Sequence, residues 1–121
     1  MAAKILAVVD DIFFLAKIQQ TGRQLGVKVE PLAPDALQDR LARDEAQAIL
    51  LDLNHRSGKA IAALQALKNN PATHVVPVIA FLSHVQTDLA QSARAAGCDR
   101  VMARSAFSQQ LPGLLQDLSK E

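Results

Sequence analysis

Leu6-Ala7-Val8-Val9-Asp10-Asp11-Ile12-Phe13 runs apolar, stops at two adjacent acids and resumes with an apolar pair. Ile5 to Val9 reads as a strand covered on both faces, since such strands are continuous apolar runs rather than alternating ones. The residues that follow change period. Ile12, Leu15, Ile18, Gly22 and Leu25 fall on one stripe of a helix from Ile12 to Leu25, and Gly26 supplies its stop. A buried strand that feeds a helix through an acidic corner is the unit to look for in the remaining sequence.

It recurs. Further apolar runs lie at Val27 to Val29, Ala48 to Leu53 and Val75 to Leu82, with a weaker one around Arg100 to Ala103. Val27 to Val29 and the run at Arg100 are short and more polar, as edge strands are. Helical periods occupy Pro34 to Arg43, Ser57 to Lys68, Thr87 to Ala96 and Ser108 to Lys120. Pro112 fits the last of these only near its first turn. Five strand–helix repeats predict an open parallel sheet with helices on both faces, an α/β doubly wound (βα)5 fold. The flavodoxin-like strand order 2-1-3-4-5 is the expected arrangement, and one domain spanning 1–121 accounts for the length.

Composition narrows the function classes. Half the residues are hydrophobic and 21% are charged, enough apolar content for a packed core. Net charge is +1, without the basic excess of a nucleic-acid surface. Cys98 is the single cysteine, which removes an internal disulfide and a cysteine zinc site. The N-terminus lacks a signal-peptide pattern, and no apolar run approaches the roughly 20 residues of a membrane span. The expected setting is cytoplasmic, with no nucleic-acid or membrane partner.

In parallel sheets of this kind, ligands bind beyond the carboxyl ends of the strands. The first strand ends in Asp10-Asp11, and the third, AILLDL, delivers Asp52 followed by Leu53-Asn54. Acids at a helix start also serve the helix dipole, so Asp10-Asp11 alone has two readings. Asp52 in register shifts the balance. Three carboxylates in one crevice cannot all stay ionised without a cation, and hard oxygen donors suit Mg²⁺. A carboxylate can also act as a nucleophile toward phosphorus, a role that fits Asp52 at the end of the most apolar strand.

With these residues in view, the chain resembles the receiver domain of two-component response regulators over nearly its whole length, as a CheY-like but atypical member. The matching pieces are KILAVVDD, ILLDLN, PVIAFLS, AAGCD and VMARS. The resemblance implies Mg²⁺ bound by Asp10, Asp11, Asp52 and the Asn54 carbonyl. It also implies phosphorylation of Asp52 by a histidine kinase or phosphotransfer protein, and signalling to a downstream protein partner. It implies no enzyme beyond self-phosphorylation and autodephosphorylation.

The departures are specific. The family's Thr or Ser at the end of the fourth strand aligns with Leu82, and Ser83 stands one step later, either as its substitute or as a helix cap. The family's Lys is replaced by Arg104, which keeps the charge and can fork onto phosphate but is not its equivalent. Arg104 could also simply balance the acids. The switching aromatic aligns with Val101. The loop LNHRSG looks short and puts His55 and Arg56 at the rim as phosphate or partner contacts, or as solvated residues. His84 and Phe14 are further rim candidates. Phe13 and Phe14 cannot both face the sheet, so one is expected to be exposed.

Two readings follow: a phosphorylated receiver, and a pseudo-receiver that binds partners without phosphoryl transfer. A third, a flavin or cobalamin carrier, is disfavoured. No glycine-rich fingerprint follows the first strand, and DLNHRSG has its His one residue late for a cobalamin motif.

Overall fold

Strand and helix alternate through the chain as the apolar pattern predicts. The computed structural model describes residues 3–83 and 86–120, and His84 lies outside them. The strands are β1 (Ala3–Val8), β2 (Val27–Pro31), β3 (Ala48–Asp52), β4 (Val78–Leu82) and β5 (Arg100–Ala103). The helices are α1 (Ile12–Leu25), α2 (Leu37–Arg43), α3 (Ala60–Asn69), α4 (Thr87–Ala95) and α5 (Arg104–Leu118), with a short 3-10 turn at Pro34–Ala36. All strand pairs are parallel, in the order β2-β1-β3-β4-β5. Ile5 pairs with Ala48, and Asp52 pairs with Phe81. No described helix is long and apolar enough to cross a membrane.

The period-2 alternation of the strands splits the core into two layers. Ile5, Ala7, Leu50, Ile79 and Phe81 point to the side covered by α1 and α5, where Phe14, Ile18, Phe107, Leu111 and Leu115 meet them. Leu6, Val8, Ile49, Leu51, Ala80 and Leu82 point to the other side, against Leu37, Leu64, Leu67 and Ala93. The three central strands are therefore buried on both faces, which is why they read as unbroken apolar runs.

Four expectations are corrected. Ile12 is not on the buried stripe of α1: it is 72% exposed, and Phe14, Ile18 and Gly22 form that stripe instead. The stripe includes a glycine because a Cβ at Gly22 would stand 2.7 Å from the Val27 carbonyl oxygen. Helix α5 begins at Arg104 rather than Ser108, directly after β5, so Pro112 lies well inside it and the Ser108 carbonyl lacks its i+4 donor. Strand β4 begins at Val78 and not at Val75, which is exposed. The preceding residues are turned aside by hydrogen bonds, Thr73 Oγ1 donating to the Leu67 carbonyl at 2.8 Å. Helix α3 starts at Ala60, three residues later than Ser57, whose Oγ accepts the Lys59 N–H at 3.1 Å.

Candidate functional site

The carboxyl ends of β1, β3 and β5 deliver the charged residues. β1 runs out at Val8, and buried Val9 leads to Asp10 and Asp11. Asp11 is the N-cap of α1: its Oδ1 accepts the N–H groups of Phe13 (3.0 Å) and Phe14 (3.1 Å). Its Oδ2 accepts a hydrogen bond from Arg104 Nη2 at 2.6 Å. The helix N–H groups and the guanidinium beside it hold the Asp11 carboxyl below the usual aspartate value. The helix-start reading of an acid at this corner is thus realised at Asp11, whose other oxygen pairs with Arg104.

Asp10 has different company. Its Oδ2 accepts the Arg56 N–H at 3.0 Å, and the Arg56 guanidinium, almost wholly in solvent, lies 3.8 Å away. Asp52 closes β3 and is only 4% exposed. By strand alternation it lies on the same side of the sheet as Leu50, the side of α1 and α5. The Asn54 N–H donates to its Oδ1 at 2.8 Å. Burial pushes the Asp52 carboxyl up from its ordinary value and the charge of Asp10 adds to the rise, while the Asn54 N–H, Arg104 and His55 oppose it. The acids are therefore paired unequally: Asp11 is held by the Arg104 guanidinium, Asp10 meets only the solvent-exposed Arg56, and Asp10 and Asp52 repel each other.

The loop after β3 is a hydrogen-bonded scaffold. The His55 N–H donates to the Asp52 carbonyl at 3.1 Å. The His55 ring lies 2.9 Å from Ser57 Oγ through Nδ1, and that nitrogen also accepts the Ser57 N–H at 3.2 Å. Asn54 bridges to the end of β4: its Oδ1 accepts the N–H (2.7 Å) and Oγ–H (3.1 Å) of Ser83, and its Nδ2 donates to Gln86 Oε1 at 2.7 Å.

Ser83 is exposed and turned toward Asn54, and no hydrogen bond joins it to Asp52 among the described residues. Leu82 points into the core layer under α2, α3 and α4, with Val101 half-buried in the same layer. Phe13 is 82% exposed, and Phe14 is buried with the Arg104 guanidinium 4.0 Å above its ring centre. The sequence marked Phe14 only as a rim residue; its part in seating Arg104 went unread. Gln86 was missed altogether, because a lone Gln before a helix carries no spacing signal.

Among the described residues, no three His, Cys, Asp or Glu side chains are grouped to hold a metal ion. The donor chemistry nevertheless fits a hard divalent cation at two of the acids. Asp10 Oδ1 and Asp52 Oδ2 accept no hydrogen bond among the described residues, while both oxygens of Asp11 are engaged.

No protein-family model and no curated protein match the chain. Solved structures do match. The chemotaxis response regulator CheY4 of Vibrio cholerae superposes with a TM-score of 0.82 at 19% identity, over 98% of this chain and 99% of that one. The receiver domain of sensor histidine kinase PA1611 from Pseudomonas aeruginosa PAO1, which holds magnesium in its active-site cleft, gives 0.82 at 22% over 98% of both chains. A response regulator from Hahella chejuensis gives 0.84 at 17%, over 97% of this chain and 95% of that one. This chain has the flavodoxin-like fold of response-regulator receiver domains.

Proposed function

We propose that the chain is a signalling receiver that accepts a phosphoryl group on Asp52 from a histidine kinase or phosphotransfer protein and acts through protein contact. The observation that carries this reading is the Asp52 carboxylate: buried at the end of β3, repelled by Asp10, with one oxygen free of hydrogen-bond donors among the described residues. A lone pair on Asp52 Oδ2 forms the new O–P bond as the P–N bond of a phosphohistidine breaks. The leaving imidazole keeps that electron pair and takes a proton from water. Asp10, Asp52 and the Asn54 carbonyl are the groups that would hold Mg²⁺, which neutralises charge on the phosphoryl oxygens. The Asn54 N–H orients the carboxylate, and Arg104 places a permanent positive charge within its field. With Leu82 in place of a hydroxyl donor, one transition-state hydrogen bond is absent, which costs about 10²-fold or more in rate.

A second reading has its own support. Ser83 is bound to Asn54, and Arg104 is bound to Asp11 and stacked on Phe14, as suits a pseudo-receiver whose site is locked. Beryllofluoride with Mg²⁺ separates the two when amide resonances are followed by NMR. Shifts centred on residues 52–56 and 83 support the phosphoryl acceptor, and an unchanged spectrum supports the locked module.

A further inference from the structure

The contact between Arg104 and Asp11 bears on cation binding. Asp11 Oδ1 is committed to the first turn of α1, so Oδ2 is the oxygen it can offer to the cleft, and Arg104 holds that oxygen at 2.6 Å. A guanidinium and a divalent cation repel each other and seek the same lone pairs, so one must yield to the other. The guanidinium is well held. Its side chain is 29% exposed and that of Asp11 38%, so water screens the pair in part and the short contact must be held by other groups. It also lies over the face of Phe14, a placement that favours Arg over Lys.

The ring beneath it is fixed in turn. Phe14 meets Phe81 edge-on at 5.2 Å and Phe107 at 5.9 Å, and those two stack at 4.6 Å. The platform therefore belongs to the core layer under α1 and α5.

We infer that Arg104, seated on the Phe14 ring, is a built-in competitor of divalent cations for Asp11, so that this aromatic platform sets the metal affinity of the acidic cleft. The inference rests on the cation site proposed at Asp10 and Asp52. By linkage, whatever strengthens the Arg104 contact weakens metal binding by the same factor. Phe14 here is a positioning residue, acting through Arg104.

Mn²⁺ binding to the full chain, followed by electron paramagnetic resonance of the free ion, tests this directly. Phe14→Leu keeps every charge and removes the ring, and Arg104→Lys keeps the charge and removes the fork. Both are expected to bind Mn²⁺ about three- to tenfold more tightly than the wild type. Arg104→Ala serves as the control for charge alone. If it tightens binding while either of the other two does not, the effect is bulk electrostatics and the clamp is refuted; unchanged affinity in all three refutes it as well. Arg104 lies at a half-exposed helix start, so Arg104→Lys gives an answer even if Phe14→Leu unfolds. In the wild type, the Arg104 Nε–H resonance, shielded by the ring, must move when Mg²⁺ saturates the site; a static resonance contradicts the inference. Acetyl phosphate labelling is scored separately. Tightened Mn²⁺ binding without labelling removes phosphoryl transfer and keeps the clamp, and labelling without tightening does the reverse.

Discussion

The two ends of the sheet treat buried charge in opposite ways. At the amino end of β4, Lys68 lies almost wholly buried. Its ammonium spends all three donors on the carbonyls of His74 (3.1 Å) and Val76 (2.9 Å) and on Asp99 (2.8 Å). The same Asp99 oxygen accepts the Val78 N–H at 2.7 Å, so one ion pair pins α3, the start of β4 and the turn before β5. At the carboxyl end, Asp52 is as deeply buried but has one hydrogen bond and a like charge beside it. A fold that gives a buried ammonium three acceptors at one end and leaves a carboxylate under-compensated at the other is holding a reactive group at a cost in stability.

Asp52→Asn gives the largest expected effect. It abolishes acyl-phosphate labelling, measured by intact mass, and raises the melting temperature at pH 7 by roughly 2–5 °C because a repelled, buried charge is gone. Lys68→Met acts at the opposite end and in the opposite direction. It strips donors from two carbonyls and from Asp99, lowering stability by about 2 kcal/mol in urea denaturation, and leaves labelling in place.

The next effect lies in the pH dependence of the two acids. The folded pKa of Asp52 is raised above 3.8, so the fold favours its protonated form. Its contribution to stability is present below pH 3.8 and is lost as pH rises through the folded value. The gain in Asp52→Asn is therefore full above the folded value, fades as pH falls from there toward 3.8, and is absent below it. The folded pKa of Asp11 is lowered, so its stabilisation is present above 3.8 and is lost as pH falls through the folded value. Asp11→Asn is thus destabilised at pH 7, and its deficit disappears in strong acid. Thermal melts of both variants across pH 2–7 check the opposed signs. The smallest effect belongs to Ser83→Ala: a hydroxyl bound to Asn54 contributes little to the transfer, and the labelling rate changes by less than about threefold.

The sheet was legible because its central strands are covered on both faces and need continuous apolar runs, and the strand ends marked Asp10, Asp11, Asp52 and Asn54. What the sequence did not show depends on partners distant in the chain. The start of β4 is set by Asp99 accepting the Val78 N–H, which no local pattern encodes. The buried stripe of α1 includes Phe14 instead of Ile12 because Phe81 and Phe107 stand opposite it. Arg104 was legible as the cation of the cleft. Its choice of Asp11 was not, because the direction of a long side chain follows from the ring that supports it. The direction of Ser83 likewise depends on Asn54, a residue far away in sequence.

The central claim is that the under-compensated carboxylate of Asp52 is reactive toward phosphorus. Incubation with acetyl phosphate and Mg²⁺, followed by borohydride trapping and peptide mass mapping, tests it most directly. Reduction at Asp52 alone, its acyl phosphate converted to a homoserine side chain with loss of phosphate, is the result expected. No adduct, or one on another residue, under conditions that modify an ordinary receiver would contradict the account.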